Sequence, residues 1–181
     1  MLQIVVPGRE YWIESKKEFI YTKEQTLCLE HSLVSISKWE AKWHKPFLYT
    51  FKKDIKENEI RDYVKCMTLT QNVDPNVYFS LSSENIKEIF EYINDPMTAT
   101  TFREEHEKPN RELITSELIY CWMTQANIPF ECQKWHLNRL LTLIRVCNIK
   151  NQPEKKRNSM EIISDYKNMN EERKKLWKTA G

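Results

Sequence analysis

The apolar residues of this chain change their period along its length, and the period sorts the chain into regions. In the first thirty residues the runs "LQIVV" and "FIYT" are β-branched or aromatic, and in "QTLCLEHS" Leu27 and Leu29 alternate with Cys28 and Glu30; all three predict short strands. From Ser32 the spacing lengthens. Leu33, Ile36, Trp39 or Glu40, and Trp43 recur every three or four residues, with Ser32 placed to cap a helix and Pro46 to end it. "DIKENEIRDYVKCMTL" predicts a second helix with Ile60, Tyr63, Val64 and Met67 along one side, and Asp74-Pro75 opens a short helical turn. Ser82 or Ser83 caps "ENIKEIFEYIN", in which Ile86, Ile89, Phe90 and Ile93 trace one helical face. The β-prone runs "TATTF" and "RELIT" flank the charged "REEHEKPN" and suit a hairpin.

The densest apolar region follows. "SELIYCWMTQAN", capped by Ser116, places Leu118, Ile119, Trp122 and Met123 on a broad face; "ANIP" breaks it; "FECQKWHLNRLLTLIRVCNI" predicts the next helix. So short a break favours an antiparallel helical pair. In the second helix Leu137, Leu140, Leu141, Ile144 and Cys147 form the main stripe, while Trp135, Leu143 and Val146 lie off it. Two faces therefore need covering, and one neighbouring helix covers one. Beyond Asn148, "KNQPEKKRN" reads as a polar linker. The segment after it carries a thin apolar line of Ile162 or Ile163, Tyr166, Met169 and Leu176. Such a helix is marginal alone in water and is expected to order against a surface. The expected fold is mixed α+β and mostly helical: a small N-terminal antiparallel sheet, a C-terminal helical hairpin over Ser116–Asn148, and a loosely attached terminal helix. Residues 1–150 form the globular domain and 151–181 a charged linker with a docking helix or tail.

Composition narrows the chemistry. Glycine occurs twice, at Gly8 and Gly181, so no P-loop, dinucleotide fingerprint or G-x-S-x-G elbow can be built, and turns must use Asn, Asp, Pro and Ser. Lys+Arg 28 against Asp+Glu 26 leaves +2, too little to draw the whole chain to nucleic acid or acidic membrane. The basic excess is local: residues 150–181 carry nine Lys/Arg and five Asp/Glu. Five cysteines without a C-x-x-C suit reduced thiols that fill a core. No stretch approaches the 18 apolar residues of a membrane span and no secretion signal opens the chain, so a cytosolic, soluble protein is expected.

Three chemical possibilities compete with a packing role. Cys132 and His136, four apart, have the spacing of helical metal ligands, but a zinc site needs two more, and Cys121, His31 or His44 would have to converge from elsewhere. The same pair beside Glu131 could be a nucleophile and base, yet few backbone donors can be arranged without glycine. Lys155, Lys156 and Arg157, then Arg173, Lys174, Lys175 and Lys178, with Tyr166 and Trp177, resemble a nucleic-acid surface. Glu154, Glu161, Asp165, Glu171 and Glu172 interrupt it, so nucleic acid is the less favoured partner. No catalytic residue, cofactor or metal is expected, and no membrane association.

The blocks "LEHSLVSISKWEAKWHKPF" (29–47), "SELIYCWM" (116–123) and "IPFECQKWHLNRLLTLIRVCNIKN" (128–151) resemble small proteins encoded among the tail genes of long-tailed bacteriophages, the tail assembly chaperones. The resemblance implies a protein of the host cytoplasm that binds the apolar, helical tape-measure protein and helps tail-tube subunits polymerise around it. Self-association into a homo-oligomer is compatible with this role; the alternative function is a structural virion protein, a tail or head-tail connector subunit, and a small nucleic-acid-binding protein is less favoured still. In that role an apolar helix would lie in a groove presented or supported by Trp135, Leu137, Leu140, Leu141 and Ile144, with Trp39, Trp43, Tyr166 and Met169 as further contacts.

Overall fold

Caps and turns written into the sequence set most element boundaries. The computed structural model describes residues 1–13, 17–53, 55–102, 113–151 and 159–177. Its strands are β1 (Leu2–Val6), β2 (Glu10–Ile13), β3 (Glu18–Tyr21) and β4 (Gln25–Leu29). The helices are α1 (Leu33–Trp43), α2 (Phe47–Lys53), α3 (Glu57–Met67), α4 (Ser83–Asn94), α5 (Ser116–Gln125), α6 (Leu137–Asn151) and α7 (Ser159–Trp177), with 3-10 turns at Pro75–Phe79 and Phe130–Lys134. The fold is mostly helical, about 60%, with a small N-terminal antiparallel sheet. The chain divides into two units, Met1–Cys147 and Asn148–Gly181.

Ser32 Oγ accepts from the Ser35 N–H at the start of α1, and Ser82 with Asn85 forms a reciprocal capping box on α4. Asp74 caps the turn that Pro75 begins. Pro46 ends α1 as expected, but the next residue starts α2, a helix the apolar spacing had not suggested. Gly8, the one internal glycine, has no positive φ; it is small because a Cβ there would lie 2.7 Å from the Thr22 carbonyl oxygen. Lys17, His44, Asn72, Met97 and Asn127 take the left-handed conformation instead, so Lys, His and Met join Asn at positions where glycine is usual.

β1 pairs with β4, Leu2 opposite Leu29 and Ile4 opposite Leu27, and β2 pairs separately with β3. The sheet expected as one is two ribbons. Ile4, Val6, Leu27 and Leu29 turn inward, and α4 lies against β1. β4 is closed on its other edge where the Leu69 N–H donates to the Cys28 carbonyl and the Glu30 N–H to that of Met67. α1 runs through the middle of the helical layer and packs on α3, α5, α2 and the 3-10 turn at Phe130–Lys134. At its C-terminal end Phe47 is fully buried, its ring 4.0 Å from that of Tyr63 and 5.2 Å from those of Trp39 and Phe51. Each such buried side chain contributes about 1.5–3 kcal/mol through removal of apolar surface from water.

Two helix starts depart from expectation. The helix foreseen from Phe130 begins at Leu137, because Phe130–Lys134 winds into a 3-10 turn and Trp135 is extended. α5 has Thr115 rather than Ser116 as its N-cap residue, without a side-chain cap bond; the Ser116 N–H is met by Glu40, 76 residues away in sequence. The proposed hairpin does not form on its described side: Thr98–Phe102 and Leu113–Thr115 carry no strand, and residues 103–112 lie outside the described residues.

Candidate interaction surface

The residues expected to line a groove divide by burial. Leu137 and Leu140 are fully buried and Ile144 nearly so; Trp39 is fully buried and its indole N–H donates to the Glu59 carbonyl at 2.9 Å. These four are core residues, and none presents a surface. Leu141, Trp135 and Trp43 are half-buried against that core, with the Arg139 guanidinium 4.4 Å over the Trp135 ring and Trp43 stacked on Trp39. The second apolar face of α6 is thus largely absorbed: Leu141, Leu143 and Cys147 also pack on the body of the fold. On α7, Tyr166 and Met169 are exposed, as are Ile163 and Trp177; the side chains of Ile162 and Leu176 lie outside the described ones. Of the basic clusters, residues 155–157 and 178 are likewise outside them.

Cys132 and His136 do not share a helical turn, since Cys132 belongs to the 3-10 turn and His136 precedes α6. His136 meets His31 instead, ring centroids 5.0 Å apart, and the residues described hold no group of three or more potential metal ligands. The Asn138 N–H donates to His136 Nδ1, so the proton sits on Nε2 and is donated to the Tyr92 carbonyl at 3.0 Å. Tyr63 Oη lies 2.5 Å from His31 Nδ1. Burial, reinforced by His136, drives the His31 pKa down to about 3, and burial lowers that of His136. Both imidazoles are neutral near pH 7 and tie four segments together: the Leu137 N–H donates to the His31 carbonyl, while Tyr63 belongs to α3 and Tyr92 to α4. Cys132 is buried as core filler, whereas Cys121 is exposed.

Glu40, left open at sequence level as an alternative to Trp39, is a buried connector. Oε1 accepts the Phe47 N–H and Oε2 the Ser116 N–H, each at 2.8 Å, so one carboxylate serves the first turns of α2 and α5. An open depression of about 430 Å³ lies between Lys42, Trp43, Asn58, Arg61, Asp62 and Phe79. Its charges are already matched, Lys42 with Asp62 and Arg61 with Glu57, which leaves little pull on a charged ligand.

Among the described residues, an uncovered aromatic cluster stands on the β2–β3 ribbon. Trp12 opposes Phe19 and Glu10 opposes Tyr21, so alternation places all four side chains on one face. Trp12 is 49% exposed, Phe19 66% and Tyr21 68%, and the Trp12 and Phe19 rings meet at 4.9 Å. Ile20, on the opposite face, is half-buried. The base of the ribbon is held firmly. The Thr22 N–H donates to the Arg9 carbonyl, its hydroxyl bonds to Ser80 Oγ at 2.7 Å, and Gly8 permits the close crossing. The "FIYT" run predicts β3, whereas "EYWI" is not among the expected strands; its pairing with "EFIY" puts Trp12 beside Phe19, and the period-2 match between the two runs is the signal available in the sequence. Comparison with protein-family models, with curated proteins and with solved structures finds no match.

Proposed function

We propose that the protein is a non-catalytic tail assembly chaperone that binds apolar segments of the tape-measure protein in the cytoplasm of the host. The observation that carries the reading is the aromatic face of the β2–β3 ribbon: three large rings stand on one side of a two-stranded element whose base is locked to the core. Covering those rings with a partner's apolar side chains removes surface from water, the main driving force of holding an insoluble client. The exposed Ile163, Tyr166, Met169 and Trp177 of α7 offer a second apolar line. The described residues include no helix long and apolar enough to cross a membrane. The family resemblance of residues 29–47, 116–123 and 128–151 supplies the identity of the client.

The test is co-expression with the tape-measure protein. Trp12→Ser combined with Phe19→Ser changes exposed side chains, so the fold survives and the soluble fraction of the client should fall to that seen without chaperone. Undiminished solubilisation by this variant would refute the assignment of the surface. Leu140→Ser is no substitute, because that residue is fully buried and the variant would report unfolding.

A further inference from the structure

We infer that the ribbon binds its client as an extended apolar segment, added as a third strand along β3 beneath the aromatic face. This deepens the chaperone reading and rests on it for the source of the segment. The argument begins in the ladder. The Thr22 N–H donates to the Arg9 carbonyl at 2.9 Å, so Arg9 and Thr22 are a hydrogen-bonded pair. Antiparallel pairs alternate, which makes Tyr11 with Ile20 the next bonded pair and leaves Glu10 with Tyr21 and Trp12 with Phe19 non-bonded. The close Trp12–Phe19 ring contact fits the shorter cross-strand approach of a non-bonded pair. The backbone N–H and C=O groups of Phe19 and Tyr21 therefore point away from β2, and among the described residues no other strand pairs with β3.

The outward backbone groups and the uncovered rings belong to the same two residues. An added strand would bond to Phe19 and Tyr21 and bring its alternate side chains level with Trp12, Phe19 and Tyr21. The β3 edge suits this better than the β2 edge, because of the four described residues on the aromatic face the charged one, Glu10, lies on β2. Size decides against a second folded copy docking face to face. At about 150–250 Å² per fully covered aromatic, the exposed fractions amount to roughly 350 Å², short of the roughly 800 Å² per partner of a stable interface. A short strand adds main-chain hydrogen bonds to that area. Its chemistry follows: apolar at every second position, without proline where it meets β3.

The probe is a fluorescein-labelled nine-residue peptide of alternating Val and Thr with lysines at both ends, titrated into the full chain and read by anisotropy. Tyr21→Ala and Tyr21→Pro both remove the ring, but only proline removes the outward N–H, at a position the β2–β3 ladder does not use. Strand addition predicts at least tenfold weaker binding by Tyr21→Pro than by Tyr21→Ala. Should proline disturb the ribbon, hydrogen exchange on the unmodified protein gives the same answer: peptide should slow the Phe19 and Tyr21 amides at least tenfold and leave Ile20 unchanged. Equal affinities of the two variants, protection that omits Phe19 and Tyr21, or no peptide binding overturns the inference. So does sedimentation showing a dimer lost in Tyr21→Pro, which would assign the edge to a second copy. Tape-measure protein still solubilised by Tyr21→Pro as well as by Tyr21→Ala would sink the strand geometry while leaving the chaperone reading intact. A client never solubilised by the unmodified chain would sink the chaperone reading and leave the peptide result standing.

Discussion

Replacing Glu40 with Gln removes one charge and one acceptor from a carboxylate that holds two helices at once. In the native fold Oε1 takes the Phe47 N–H and Oε2 the Ser116 N–H, both at 2.8 Å, in a site 8% exposed. The amide keeps one acceptor oxygen and aims an NH₂ at the other N–H, so one bond is lost outright and the remaining one loses its charge assistance. Hydrogen bonds to a charged group are worth about 1.5–3 kcal/mol each, and the favourable field of a carboxylate at a helix N-terminus adds about 0.3–1 kcal/mol. The expected loss is therefore ~2–4 kcal/mol, a large part of the roughly 5–15 kcal/mol that holds a domain together. Urea unfolding measures it: with a slope of about 2 kcal/mol per molar the midpoint should fall by about 1–2 M at unchanged slope. A Glu40→Gln midpoint within about 0.3 M of the unmodified protein, the slope being equal, would show that the two N–H groups do not depend on the carboxylate, and the connector role would be wrong.

Acid should weaken the fold through His31. Its folded pKa of about 3 lies below the ordinary 6.5, so the unfolded chain binds the extra proton; the stabilisation is complete above pH 6.5 and is lost as pH falls toward 3. At pH 5 the loss is about 2 kcal/mol, with a smaller contribution of the same sign from His136. The urea midpoints at pH 7.5 and pH 5 should therefore differ, and the difference should shrink in His31→Phe combined with Tyr63→Phe, which removes both partners of the 2.5 Å contact; an unchanged pH dependence counts against it. Gly8→Ala should cost about 1–3 kcal/mol because the new methyl has only backbone to displace. A thermal midpoint equal to that of the unmodified chain would show that the crossing has slack.

What the sequence determined by itself is the set of features decided within one or two turns of chain. Ser32, Ser82 and Pro75 start their elements where their side-chain chemistry says, and the stripes of α1 and α3 face inward because a period of 3.6 leaves them no other face to bury. On α4 the buried face is Asn85, Ile89, Tyr92 and Ile93, and Ile86 and Phe90 of the expected stripe are only half-buried. The spare apolar residues of α6 could be read too, but not their destination. Whether Leu141 and Leu143 meet solvent, a partner or their own core depends on what else packs there, and the structure places them against the core. Tertiary structure alone put His31 beside His136, gave the Ser116 N–H to Glu40 and joined Thr22 to Ser80, 58 residues away. It also left Trp12, Phe19 and Tyr21 uncovered. Local hydrogen bonds and helical periods reach about four residues, whereas burial is a property of the assembled fold, so an exposed aromatic face has the same sequence as a buried one.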